Sequence, residues 1–592
     1  MDIGCVDCAY KFVGHKVIIR LKDRVCETPE ELLASNLFRE VLVRYIKELD
    51  RKGSPLLALF GPWESQSPDN EVGDLIQVFQ LLTKMPIEWV NKLLEDPKQK
   101  LVQQPYVLFD FVEGLYNFWR EFERFMVLDS EADTLDKRPY RAFNSTIESL
   151  THLVRHVYRD IQENISGKHP NIYRQIHAGA EVAAIALPKS VPLPEGAYQK
   201  LTDIPFIRQI LIYPPLLLNP PMNKRTGSFK KVDQNPLDLV TIDSNEWLCY
   251  PARVGPLLIN VYFHEAFFEL GFSLCNLLEL ADDSSLQKKA DAIYLFGVPE
   301  GSLDHLASLP TVFYEDEAND LLVGAVPRRN EFGYFGYLKK MILTLHNIKR
   351  MKMGKMPFHG ALVRIMLKND RGATILLMGE TGTGKSETLE AFRTLGDERI
   401  REMVVIADDM GSLDIDNDGK VIGYGTEVGA FVRLDDLQPG YAFGQLDRTI
   451  IMNPSQVNAR VVLPVTTYDN VVRGYPVDMV LYANNYEEVD EQHPIIEQLN
   501  DLETALNLFR EGVAMGKGTT TSTGLGRSYF ANIFGPDQYK TLHEVIAKRY
   551  FQAFYKTGIF VGQLRTRLGI AGWERQGPEG AARMLLKILE KL

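Results

Sequence analysis

Residues 379–386 read Gly-Glu-Thr-Gly-Thr-Gly-Lys-Ser and stand directly behind the apolar run 375–378. A strand that feeds a glycine-rich loop, which then carries Lys385 and Ser386 into a helix over 387–395, is an arrangement that binds phosphate chains. Glycines let backbone N–H groups turn inward, the helix N-terminus adds partial positive charge, and a lysine supplies a full one. Gly379, Thr381, Gly382, Thr383, Gly384, Lys385 and Ser386 are therefore the expected cradle, with the Ser386 hydroxyl left to reach a magnesium ion. Further on, Val404-Val-Ile-Ala407 is an apolar strand ending in Asp408-Asp409. Acids at a strand's carboxyl end beside a phosphate loop are placed to hold a metal on the phosphates. Neighbouring residues on a strand point to opposite sides, so each aspartate could serve a different cation.

The elements that must carry these groups fit an α/β protein. At 592 residues the chain is long enough for two or three domains, and it carries 5 cysteines and a net charge of −12. That cysteine count makes no disulfide framework. The acidic balance and lack of a basic tract argue against nucleic acid or an anionic membrane as the main partner. No apolar run reaches a membrane span, and no secretory signal pattern opens the chain, so a cytoplasmic protein is expected. Cys5, Cys8, His15 and Cys26 offer soft ligands close together, but without a second close Cys pair they are better explained as free thiols.

Residues 1–200 are expected to form a mainly helical N-terminal extension. Leu108, Phe111, Val112, Leu115, Phe118, Trp119, Phe122, Phe125 and Met126 recur at helical spacing. Ser145 to Glu148 has the pattern of a capping box opening another helix, which Gly167 would stop. Eight prolines between 188 and 221 exclude a continuous helix there. Strand-like runs at 257–262, 292–296 and 321–326 alternate with helical ones at 264–280 and 337–345, which suggests a second α/β lobe over 201–345. Strands continue at 361–367, 375–378, 403–407, 449–452, 460–463 and 478–482 within a nucleotide- and metal-binding domain at 346–592. Asp414-Ile-Asp-Asn-Asp-Gly419 resembles the opening of a calcium loop but has Gly425 where the twelfth-position glutamate belongs, so a polar turn between strands is expected.

Tyr334-Phe-Gly-Tyr-Leu-Lys-Lys340, His359, the glycine-rich loop, Asp408-Asp409 and Asn458-Ala-Arg-Val-Val-Leu-Pro464 follow one another in the order found in phosphoenolpyruvate carboxykinases. The chain resembles the ATP-dependent class of that family, and Phe530-Ala-Asn-Ile-Phe-Gly-Pro536 is similar to the family's segment after its mobile lid. The resemblance implies a carboxykinase-like mixed-sheet core that turns oxaloacetate and ATP (or another nucleotide) into phosphoenolpyruvate, ADP and carbon dioxide. It implies Mn2+ on Lys340, His359 and Asp409, and Mg2+ on Ser386 with Asp408 nearby. It further implies that Lys385, Arg460, Tyr334 and Arg225 handle phosphate and substrate, and that Arg575 contacts nucleotide. A lysine ligates only as the neutral amine, so Lys340 must have a depressed pKa.

His359-Gly-Ala-Leu-Val363, Gly384-Lys-Ser-Glu387 and Ala407-Asp-Asp409 also resemble HPr kinase/phosphorylase. That alternative is a kinase acting on a protein or small-molecule hydroxyl, with Asp408 or Asp409 as base. A third is a non-catalytic nucleotide sensor, in which the N-terminal region serves self-association or binds a protein partner.

Overall fold

The computed structural model describes all residues except 1–7, 22–24, 61–68, 130–137, 171, 173–175, 227–228, 381, 396–398, 437–445, 518–522, 534–538 and 592. Cys5 and Thr381, both named above, lie outside the described residues. The chain is mixed α/β and divides into two compact units, 1–189 with 205–213, and 190–204 with 214–592. Apart from 205–213, which belongs to the first unit, the residues of the expected lobes at 201–345 and 346–592 fall within the second unit. Among the described residues no helix is long and apolar enough to cross a membrane.

In the first unit the described helices cover far more residues than the described strands, but strands that the helical spacing did not announce stand beside them. The unit holds strands in the order Cys8–Val13, Lys16–Leu21, Glu123–Asp129, Val182–Leu187 and Phe206–Ile212, beside a helical cluster built around Leu42, Ile46, Leu75, Phe79, Leu108 and Phe111. Helix Pro105–Glu121 ends before Phe122, so Phe125 and Met126 lie on a strand rather than on the helix that their spacing suggested. Helix Arg138–Ser166 begins before Ser145, which places the expected capping box in its interior. Gly167 does end it, at φ +63°. His15 faces Glu123, with Nε2 3.1 Å from the carboxylate.

In the second unit, one sheet runs Trp247–Val254, Leu257–His264, Ala292–Val298, Leu321–Pro327, Val312–Asp316 and Lys230–Val232. The expected helix at 264–280 is broken into short pieces, because Phe267 leaves helical backbone at φ −123°, ψ 28°. Helix Phe335–Lys352 is buried along nearly its whole length. A helix that is apolar on most sides is an interior element. Two of its buried polar groups find partners: Lys349 donates to the Asp320 carbonyl at 2.7 Å and Arg350 to the Ser412 hydroxyl at 3.1 Å.

A second sheet carries the glycine-rich loop. Strands Gly372–Met378, Met479–Asn484 and Phe560–Arg565 are parallel neighbours, and Gly372–Met378 also pairs antiparallel with the long strand Met356–Leu367. On its other edge the long strand pairs first with Met410–Ile415 and then with Ile400–Ala407. The aspartates 408 and 409 stand at the seam between those two segments. The 414–419 segment is a polar turn between strands Met410–Ile415 and Val421–Gly425, with Asp416 accepting from the backbone of Asp418 and Lys420.

Candidate active site

Backbone pairing places the site's centre before any side chain does. The Gly360 N–H donates to the Asp409 carbonyl at 2.9 Å, and the Gly379 N–H donates to the His359 carbonyl at 3.2 Å. Asp409, His359 and the first glycine of the glycine-rich loop are thus lateral neighbours on three adjacent chain segments. Gly360 has to be glycine, since a Cβ there would lie 2.3 Å from the Leu377 carbonyl oxygen. The loop turns into helix Lys385–Leu395 through Gly384 at φ +90°, where a Cβ would also strike Thr566.

Side chains converge on Asp409. His359 Nε2 lies 2.9 Å from its Oδ1, Lys339 Nζ 2.9 Å from its Oδ2, and Lys340 Nζ 3.8 Å from the same oxygen. Lys339 also reaches Glu427 at 2.9 Å. Burial lowers the Lys340 amine to about 7 against the pull of Asp409. For Lys339 the two carboxylates outweigh burial and raise its pKa. Burial opposes ionisation of Asp409, yet Lys339, Lys340 and His359 together hold it well below the usual carboxylate range. Burial pushes Glu427 up to about 7 and, with the neighbouring Asp409 charge, raises Asp408.

Of these groups, Lys339, Lys340, Asp408 and Asp409 face a cavity of about 1340 Å³. Lys340, Lys385, Ser386, Asp408 and Asp409 line it together with Arg225, Tyr334, Arg460 and Gly382. Gly379, Thr383 and Gly384 form the body of the loop behind, where the buried Thr383 hydroxyl donates to the Glu380 carbonyl at 2.7 Å. The Lys385 ammonium folds onto its own loop, donating to the carbonyls of Gly379 at 2.5 Å and Glu380 at 2.8 Å. Arg460 lies over the Phe431 ring at 5.6 Å, and Tyr334 packs 5.9 Å from the same ring. Burial lowers the Arg225 pKa.

Arg575 is not brought to this set. Its side chain is 90 % exposed and pairs with Glu579 at 3.0 Å, one turn along helix Gln576–Leu589. Lys339, Glu427, Arg433 and Arg448 belong to the cluster or the cavity wall and were not expected. Lys339 had a signal in its neighbour Lys340; Glu427 follows its strand with no motif around it.

Whether a cation suits this centre is decided by the hydrogen bonds of His359. Its Nδ1 contacts the Ala531 carbonyl, which can only accept, so Nδ1 carries the proton. The neutral ring then aims a lone pair at the Asp409 carboxylate 2.9 Å away. Two lone pairs meet at that distance only with a positive charge or a proton between them. The neutral-amine tendency of Lys340 points the same way, so the donor set fits a divalent ion of borderline softness. Among the described residues, three or more His, Cys, Asp and Glu side chains nowhere converge as a metal site; the convergence here is one lysine, one histidine and one carboxylate. No protein-family model matches the chain, and no curated protein matches its sequence.

Proposed function

We propose that this protein is a carboxykinase-type enzyme that converts oxaloacetate and ATP to phosphoenolpyruvate, ADP and carbon dioxide on a carboxykinase-like core. The observation that carries this reading is the gathering of Lys340, His359 and Asp409, of which Lys340 and Asp409 line the same cavity as Lys385 and Ser386 while the buried His359 meets Asp409 from behind. Breaking the carbon–carbon bond releases carbon dioxide and leaves its electron pair as an enolate, whose oxygen then attacks the γ-phosphorus as ADP departs. Positive charge must stand beside that oxygen before the bond breaks. A manganese ion held by Lys340, His359 and Asp409 would supply it, as magnesium at Ser386 and Asp408 would on the phosphates. The ammonium of Lys385 leaves its loop carbonyls to meet the transferring phosphoryl group. Arg460 and Arg225 grip substrate carboxylate or γ-phosphate oxygens in pairs, and Tyr334 closes the same wall.

The test is purified protein with oxaloacetate, Mn2+ and ATP, GTP or pyrophosphate, followed by phosphorus NMR. Phosphoenolpyruvate is the expected product, and Lys340→Ala should abolish its formation while nucleotide affinity stays near wild type. Absence of product with every phosphoryl donor refutes the reading. Phosphorylation of a hydroxyl substrate in its place would favour the HPr-kinase-like alternative, whose support is the raised pKa of Asp408, suited to a proton acceptor.

A further inference from the structure

Three consecutive residues, Phe530, Ala531 and Asn532, hold left-handed backbone at φ +45°, +55° and +60°. Asparagine visits that region readily, whereas alanine and a bulky aromatic do not, and runs of it are costly. Such a segment persists only where its surroundings over-determine it. Here Phe530 is buried edge-on against His543 at 4.8 Å and Tyr529 at 5.0 Å. The Ala531 N–H donates to the Ser528 carbonyl at 3.0 Å and the Asn532 N–H to the Tyr529 carbonyl at 2.9 Å. Asn347 clamps the far side, donating to the Ile533 carbonyl at 2.9 Å. Asn347 follows Lys340 by seven residues on helix Phe335–Lys352, two turns along the same face.

What this arrangement delivers is the Ala531 carbonyl, which accepts from His359 Nδ1. A turn needed only to reverse the chain would not require three left-handed residues, nor a phenylalanine among them. We infer that the 530–532 turn is the positioning element of His359, fixing the Nδ1–H tautomer so that Nε2 is the atom offered to a cation at Asp409. The part that concerns a cation rests on the carboxykinase reading; the tautomer does not. In metal sites the partner of a histidine's second nitrogen sets ring orientation, and losing it typically weakens metal binding about 10–100-fold.

Asn532 gives the cleanest test, because its side chain is exposed and changing it perturbs mainly the backbone preference. Asn532→Gly keeps the left-handed conformation, whereas Asn532→Val, β-branched, disfavours it. Nitrogen-15 NMR of histidine-labelled protein, assigned by the loss of signal in His359→Gln, reports the protonated nitrogen without metal and with Cd2+ alone. Calorimetry reports Mn2+ and ATP affinity. Wild type and Asn532→Gly should show a protonated Nδ1 and Mn2+ affinities within about twofold of each other. Asn532→Val should show mixed tautomers and Mn2+ binding weaker by about 10–100-fold, with ATP affinity unchanged. An unprotonated Nδ1 in wild type, or Asn532→Val indistinguishable from wild type, would overturn the inference. Wild type that binds no Mn2+ would sink the carboxykinase reading instead and leave the tautomer measurement to decide the turn's role.

Discussion

Arg124 in the first unit and Asp409 in the second are both charges withdrawn from bulk water, but they are met by different kinds of partner. The Arg124 guanidinium donates to the carbonyls of Gly179 at 2.8 Å, Arg120 at 3.0 Å, Phe122 at 2.7 Å and Trp119 at 3.3 Å, and pairs with Glu181 at 3.0 Å. Most of its donors end on fixed backbone, which ties the end of helix Pro105–Glu121 to strand Glu123–Asp129. Asp409 is met by side chains alone on its carboxylate, two lysines and a histidine, and it opens on a cavity. A buried charge surrounded by backbone acceptors specifies a fold. A buried charge crowded by movable cations beside open volume is available for chemistry.

Substitutions should separate the two cases. Asp409→Asn is expected to cut phosphoenolpyruvate formation at least about a hundredfold, while the melting temperature moves by only about 4 °C or less. Arg124→Met should do the reverse. It strands Glu181 and four carbonyls, costing about 3–5 kcal/mol in denaturant unfolding, with turnover per folded molecule unchanged. If Arg124→Met slows turnover as much as Asp409→Asn does, the distinction between the clusters fails.

A smaller effect comes from pH. The buried Lys340 amine has its pKa lowered from 10.5 to about 7, so below pH 7 its proton competes with a cation for the lone pair. Mn2+ affinity, titrated by calorimetry, should fall by up to about tenfold per unit below pH 7. For the metal-free fold the sign is the opposite of a usual lysine. The unfolded chain binds the extra proton between pH 7 and 10.5, so the penalty is full below 7 and fades as pH rises through that window. Lys340→Met should flatten both slopes. The least effect is expected at Arg575→Ala, whose exposed side chain meets only Glu579; nucleotide affinity should change less than about twofold.

The glycine-rich loop and the paired aspartates were legible in the sequence because strand, loop and helix signals there lie within a few residues of one another. The meeting of Lys340, His359 and Asp409 was legible only through family resemblance, since it depends on strand pairings that no local pattern encodes. Lys339 was hidden because a Lys-Lys pair on a helix resembles a solvated face, whereas this helix is buried on nearly every side. The strand Glu123–Asp129 was missed for another reason. Phe122, Phe125 and Met126 continue the helical spacing of Leu115, Phe118 and Trp119, and neither glycine nor proline marks the place where the helix stops.

The long strand Met356–Leu367 touches both Asp409 and the start of the glycine-rich loop through its own peptide groups. Slippage of that strand by one position would turn the imidazole toward the opposite face and offset it from both neighbours at once. Correct assembly of the sheet and correct assembly of the candidate site are therefore a single event. A molecule misfolded in this way would lack the site outright rather than keep part of it, and if the proposed activity holds, turnover of a refolded sample doubles as a count of properly threaded chains.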